Sequence, residues 1–420
     1  MDHSQSEVSS PDEVRPPLRS TERITGADTS SKDVALQSML ATALDCVVGA
    51  LEATIDPTGV TFHRVPGSAR ARMADLGLDF ASMWTSGVRI EALTDASVLE
   101  LDVHFMQFTY GMTSTGTTVD VVVDGRLRDP VRAVEDSIVQ VDRATGAIQA
   151  QPTAPTTLRL DLGNASGERR VEVWLPAGSA AKLLDVRLPA GARLRPAPPS
   201  GPLWIHYGSS ISQCSAAERP TGTWPAIAAR AAGRSLMNLG LGGQCQLDQF
   251  MARAIRDLPA AAISLELGIN VVNADTMRER VFISALHGFL DTVRDGHPST
   301  PILIVTPILC PAAEQRPGPT VLGPDSCFHA LARPSELADG ALSLTRIREL
   351  LHHHVNLRRA EGDTKLHAID GLDLFGQDDI DDLPDGLHPN ADGYRRIGER
   401  FLRLAFGDHG ARPDPAAHRI

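Results

Sequence analysis

Between about residue 35 and residue 195 the apolar positions recur with a period of two. Leu99, Leu101, Val103 and Phe105 alternate with Glu100, Asp102 and His104. Leu158, Leu160 and Leu162 alternate with Arg159 and Asp161, and Leu184, Val186 and Leu188 with Asp185 and Arg187. Successive side chains of a strand point to opposite faces, so this pattern predicts strands with one face buried. Val119 to Val123 runs into Asp124-Gly125, a dipeptide suited to the positive φ angles of a two-residue hairpin turn. Short strands with such punctuation predict an all-β jelly-roll sandwich over residues 34–195, with a helix from about Asp33 to Glu52 at its start.

The texture then changes. Residues 196–202, Pro-Ala-Pro-Pro-Ser-Gly-Pro, predict a stiff extended linker. Beyond it, apolar runs at Leu203–Ile205, Leu236–Leu239, Ile263–Leu267 and Ile302–Val305 lack alternation, as strands buried on both faces do. Helical stretches separate them: Trp224–Ala232, Leu247–Leu258, Met277–Val293 and, further on, Leu344–Arg359. Strand-helix alternation predicts an α/β fold, a three-layer α/β/α domain over residues 203–410 with a central parallel sheet. Sheets of this kind bind ligands at the carboxyl ends of their strands. The stretch from Cys310 to Asp339, rich in Pro and Gly, reads as a long loop and a candidate lid. Residues 1–33 and 411–420 read as disordered tails, with too little apolar surface to offset chain entropy.

Composition narrows the function classes. The chain has 420 residues, 42% hydrophobic and 22% charged, as in a soluble globular protein of two domains. A net charge of -12 argues against nucleic acid and against anionic membrane as partners. No apolar run approaches the roughly 20 residues of a membrane span. Met1 to Lys32 lacks the apolar run of a signal peptide, and the five cysteines show no CxxC spacing. Reduced thiols and a cytoplasmic location are the expectation.

The candidate chemistry sits at the ends of predicted strands. Ser210 follows the first strand and Gly208. Alone it reads more simply as a helix-capping serine. Asn238-Leu239-Gly240-Leu241-Gly242-Gly243 ends the second strand, where glycines can aim a backbone N–H at a developing oxyanion. A dinucleotide fingerprint is the rival reading, but its glycine spacing is wrong. Asn270 ends the third strand and can offer a second donor, or simply satisfy a turn. Asp385 lies three residues before His388, close enough for a carboxylate to reach that ring. A serine hydroxyl needs such a base, and the base a carboxylate that fixes its tautomer. The residues occur in the order, and at the strand ends, that one shared site requires. His352-His353-His354 falls within a predicted helix, where adjacent residues point apart, and carries no metal expectation. The acids from Asp378 to Asp385 read as a solvated loop. Cys214 and Cys245 are candidates to line the pocket.

Residues 203 to 408 resemble the four sequence blocks of the GDSL/SGNH hydrolase superfamily. The resemblance implies a flavodoxin-like fold with no metal and no cofactor. It also implies acyl transfer from esters, with Ser210 as nucleophile, Asp385 and His388 as its relay, and the Ser210 and Gly243 N–H groups with Asn270 as the oxyanion hole. The β-sandwich ahead of it is similar to that of SsfX-type acyltransferases and of two-domain carbohydrate acetyl esterases. Two positions depart from the family pattern: Gly-Asp-Ser-Leu is Gly208-Ser209-Ser210-Ile211, and G-x-N-D is Gly268-Ile269-Asn270-Val271. The expected function is a serine esterase or deacylase acting on a small or sugar-linked ester. One alternative is transfer of the acyl group to an alcohol of a natural product, and another is a carbohydrate-binding protein with an inactive catalytic domain. The expected partner is a small-molecule ester or acyl donor, with a glycan as one option. Oligomeric state is left open.

Overall fold

The computed structural model describes residues 35–109, 117–133, 137–141, 147–164 and 167–407. Both expected tails, and residues 408–410 of the 203–410 region, fall outside these residues. The amino-terminal part forms two sheets, the larger running Ile148–Gln151, Ser137–Val141, Val98–Thr109, Ala180–Pro189, Gly59–His63, Glu52–Asp56. The second runs Leu194–Pro196, Arg89–Thr94, Arg169–Trp174, Thr118–Val123, Arg126–Leu127. Their inner faces share one apolar core, in which Leu101, Val103 and Leu160 meet Val119, Val173 and Ile90. This is a β-sandwich. Asp124 and Gly125 adopt φ 49° and 78°, the left-handed pair expected of the hairpin turn.

Two expectations here fail for physical reasons. The stretch from Asp33 to Glu52 is not one helix. Its described part holds a strand at Leu36–Ser38, a helix only over Leu40–Asp45, and a strand at Val47–Val48. Both strands extend existing sheets, and Gly49, at φ 90°, packs where a Cβ would lie 2.4 Å from the Gly87 carbonyl oxygen. Sheet pairing and that close approach override local helix propensity. The alternation at Leu184 also breaks, because a β-bulge between Leu183 and Asp185 turns Leu183 into the core and leaves Leu184 partly exposed.

The carboxyl-terminal part is a five-stranded sheet: β1 (Leu203–Gly208), β2 (Ser235–Gly240), β3 (Ala262–Glu266), β4 (Ile302–Val305) and β5 (Leu366–Ile369). All pairings are parallel, in the order β2-β1-β3-β4-β5. Helices cover both faces: α1 (Ser210–Gln213), α2 (Trp224–Ala231), α3 (Gln249–Arg256), α4 (Ile269–Ala274), α5 (Glu279–Gly296), α6 (Leu344–Ala360), α7 (Gly371–Leu374) and α8 (Ala391–Phe401). The order is that of flavodoxin-like sheets, whose chain reversal between β1 and β3 opens a crevice at the strands' carboxyl ends. No helix among the described residues is long and apolar enough to cross a membrane.

The sandwich is seated directly on this sheet. The fully buried Arg64 donates from Nη1 to the carbonyls of Asn238 and Gly240, at 3.2 and 2.6 Å, and from Nη2 to Ala81 at 3.0 Å. Arg89 donates to the Leu236 carbonyl at 3.0 Å while its guanidinium stacks 4.5 Å over Trp174. Gly87, at φ 81°, leaves room for Asn238, whose Cβ lies 2.8 Å from where a side chain would begin. These contacts fix β2, and with it the loop that leaves β2 at the crevice.

Candidate active site

Ser210 opens α1 immediately after β1. Ser209 caps that helix, its hydroxyl accepting the Ile211 N–H at 3.2 Å. Gly208 is required here by proximity, since a Cβ on it would meet Ser212 Oγ at 2.3 Å and Glu266 Oε2 at 2.8 Å. The Ser210 hydroxyl lies 2.9 Å from His388 Nε2. On the far side of the ring, Nδ1 lies 2.7 Å from Asp385 Oδ2. Asp385 Oδ1 accepts the main-chain N–H groups of Leu387 and His388 at 2.9 and 2.7 Å. The carboxylate can only accept, so Nδ1 carries the ring proton and Nε2 offers its lone pair to Ser210. Burial pushes the Asp385 carboxyl up, but the His388 ring and these N–H groups outweigh it and hold it below the usual carboxylate range. Thus the structure brings Ser210, His388 and Asp385 together, although 178 residues separate the serine from the histidine.

The two remaining predicted residues follow the neighbouring strands β2 and β3. Gly243 lies in the exposed loop after β2, at φ 72°, with open space around the position of a Cβ. The loop is tied to α1 by Gly242 N–H donating to Gln213 Oε1 at 2.8 Å, and to α4 by Cys245 N–H donating to Asn270 Oδ1 at 3.1 Å. That second bond fixes the Asn270 amide: its oxygen is engaged, and its NH₂ group is left as the donor. Gly268, which precedes α4, stands at φ 109° with Ile347 2.4 Å from a would-be Cβ, so only glycine fits.

Several surrounding residues depart from expectation. The 310–339 loop is not structureless, for Thr320–Leu322 and Phe328–Ala330 pair as a hairpin. Phe328 donates its N–H to the Asp385 carbonyl at 2.9 Å, and its ring meets the His388 ring edge-on, centroids 5.6 Å apart. The acidic stretch is not simply solvated either. Asp379 is 4% exposed and binds Arg396 and Arg400, and Asp382 binds Arg396 at 2.6 Å. These ion pairs tie the segment carrying Asp385 to α8. Cys214 and Cys245 are fully buried rather than lining the cleft, and burial pushes both thiols far up, away from the reactive thiolate. The helix after His388 begins at Ala391, capped by Asn390, two residues past Pro389. His352 faces Asp370 at 3.5 Å while His354 pairs with His287 at 3.1 Å, so neighbouring histidines diverge.

Sequence reasoning missed three contributors. Trp84 of the sandwich reaches the loop after β2, its ring 3.1 Å from where a Gly242 Cβ would sit. Phe328 was hidden in an unpatterned loop. Glu266, the last residue of β3, accepts Ser209 N–H and Oγ–H at 2.7 and 2.6 Å. An acid closing a fully buried strand was the signal available for it. A cavity of about 830 Å³ lies at the opposite end of the sheet, lined by Leu203 and Ser235 at the strand starts and by Val48, and has no part in this site.

A parallel sheet in this order, with serine, imidazole and carboxylate joined at its carboxyl edge, defines an SGNH-type enzyme. Residues 203–312 match the family model described as GDSL-like lipase/acylhydrolase, and a β-sandwich precedes that region. Among solved structures, the salicylyl-acyltransferase SsfX3 from a tetracycline biosynthetic pathway is 28% identical, with a TM-score of 0.71 over 88% of this chain and 96% of its own. A GDSL-like lipase-family protein from Bacteroides ovatus is 20% identical, with a TM-score of 0.61 over 87% and 96%. A family two carbohydrate esterase from Clostridium thermocellum, in complex with cellohexaose, is 15% identical, with a TM-score of 0.52 over 85% and 97%. The last two share the fold alone. No curated protein matches the chain by sequence.

Proposed function

We propose that this protein is a serine esterase that opens small esters through an acyl-enzyme on Ser210. The single observation that carries the reading is the continuous contact Ser210–His388–Asp385, at 2.9 and 2.7 Å. His388 takes the hydroxyl proton as Oγ attacks the ester carbonyl, and Asp385 stabilises the imidazolium that results. The Ser210 and Gly243 N–H groups and the Asn270 amide receive the developing oxyanion. Each such donor typically lowers the barrier by about 3 kcal/mol. The leaving alcohol departs with the proton from His388, and water, deprotonated by the same ring, releases the acid.

A second reading has its own support. The similarity to a salicylyl-acyltransferase extends through the sandwich as well as the catalytic fold. In that reading an acceptor alcohol replaces water in the second step, with the sandwich and the Phe328 hairpin walling the cleft. Fluorophosphonate labelling followed by peptide mapping tests the shared step: label on Ser210, lost in Ser210→Ala with the fold intact, is expected. A folded protein that takes no label defeats both readings. Product analysis of a p-nitrophenyl ester with and without added alcohols separates them, because net ester synthesis marks transfer and free acid alone marks hydrolysis.

A further inference from the structure

One carboxyl group at the catalytic end takes no part in the relay. Glu266 is 2% exposed. Its Oε2 accepts the Ser209 N–H at 2.7 Å, the Ser209 Oγ–H at 2.6 Å and the Ser212 Oγ–H at 3.1 Å. Its Oε1 is buried without a hydrogen-bond partner. A buried acid with one orphaned oxygen is costly to keep.

A string of polar groups leads to the other oxygen, Oε2. The Trp204 indole can only donate, and it does so to Ser264 Oγ at 2.8 Å. Ser264 Oγ lies 2.6 Å from His206 Nδ1, and His206 Nε2 lies 2.7 Å from Ser212 Oγ. Burial lowers the His206 pKa to about 3, so its ring is neutral, with one donor and one acceptor. The orientation that uses every donor runs Trp204 to Ser264 to His206 to Ser212, ending on Glu266. The string spans β1, β3 and α1 and makes the carboxyl group its fixed terminus.

What Glu266 holds is the residue before the serine. It grips Ser209 by main chain and side chain, and the same Ser209 hydroxyl receives the Ile211 N–H. The peptide unit entering Ser210 is therefore clamped on both sides. That unit sets the direction of the Ser210 N–H and the rotation from which its Oγ meets His388.

We propose that Glu266 is a positioning residue for the nucleophile, acting through Ser209 to hold the Ser210 hydroxyl and N–H in reacting geometry. It touches neither His388 nor the cleft. The inference rests on Ser210 being the nucleophile, and the experiment separates the two.

Glu266→Met keeps the side-chain volume and removes the acceptor. Its fluorophosphonate labelling rate and its kcat on p-nitrophenyl acetate are expected to fall about 10- to 100-fold, the usual cost of slight misplacement. KM should stay within about threefold, because ground-state binding is untouched. Glu266→Gln retains an oxygen for the same donors and should remain within about fivefold of wild type. Ser209→Asp added to Glu266→Met restores a carboxylate at the helix cap and should recover part of the rate. A folded Glu266→Met protein labelling at the wild-type rate, or slowed only through KM, overturns the proposal. So does failure of both Glu266→Gln and the double variant to exceed Glu266→Met, which would assign the loss to core disruption. If circular dichroism finds Glu266→Met unfolded, Ser209→Ala is read instead: a similar fall in kcat supports the proposal and an unchanged kcat refutes it. Absence of label on the wild-type protein would sink the Ser210 assignment itself, a separate result.

Discussion

Asp385→Asn is the most discriminating single change, because it alters one proton position and little else. The Asn oxygen can occupy the place of Oδ1, which accepts the Leu387 and His388 N–H groups at 2.9 and 2.7 Å, so the turn persists. The NH₂ group then stands where Oδ2 stood, 2.7 Å from His388 Nδ1. Two donors cannot share that contact. The ring responds by moving its proton to Nε2, which faces Ser210 Oγ at 2.9 Å. Nε2 then has no lone pair with which to accept the serine proton. In a serine protease relay the same inversion lowers kcat about 10⁴-fold. That is about 5 kcal/mol of barrier, and the loss expected here. Asp385→Ala behaves differently, since it strands two main-chain donors and should reduce stability by about 2–4 kcal/mol as well. The assay is kcat on p-nitrophenyl acetate together with ¹⁵N shifts of the His388 imidazole, which report the protonated nitrogen. Asp385→Asn with kcat within tenfold of wild type, or with Nδ1 still protonated, would refute the tautomer argument.

Three further outcomes are expected. Asn270→Ala should lower kcat about 10²- to 10³-fold on the same ester, as for other single oxyanion donors, and cost about 1–3 kcal/mol of stability by stranding the Cys245 N–H; an unchanged kcat removes Asn270 from the site. Arg64→Met should lower stability to urea by about 3 kcal/mol, because its charged donors bridge sandwich and β2. Arg64→Lys should fail to restore it, since one ammonium cannot replace the fork. The neutral His206 predicts a pH effect with a definite sign. Its folded pKa is about 3 against an ordinary 6.5, so below pH 6.5 the unfolded chain binds a proton that the folded one refuses. Stability is lost as pH falls, by about 2 kcal/mol from this group at pH 5. Glu266, whose carboxyl burial pushes up, works with the opposite sign. The difference between wild type and His206→Gln across pH 8 to 5 therefore isolates the His206 contribution, and parallel stability curves would refute it.

The parts legible in the sequence share a physical cause. Strands buried on both faces, such as Ile302–Val305, must be apolar throughout, and that pattern survives without knowledge of neighbours. Ser210, Asn270 and the β2 loop were legible because strand ends are marked by glycine and a change of period. What was illegible depends on partners distant in the chain. The strand at Leu36–Ser38 exists because Pro189, Leu188 and Arg187 lie opposite it, and no local period encodes that. The bulge at Leu183 needs the register of Val98–Thr109. The same limit governs the motif departures. Position 209 carries no carboxylate along the chain, yet Glu266 Oε2 stands 2.6 Å from the Ser209 hydroxyl, carried there by a strand 57 residues onward. A motif records which residue occupies a position, whereas a turn responds to the groups around it in space. The substitution at 209 therefore does not leave the serine turn without acidic support, and loss of a motif letter is weak evidence for loss of the chemistry it stood for.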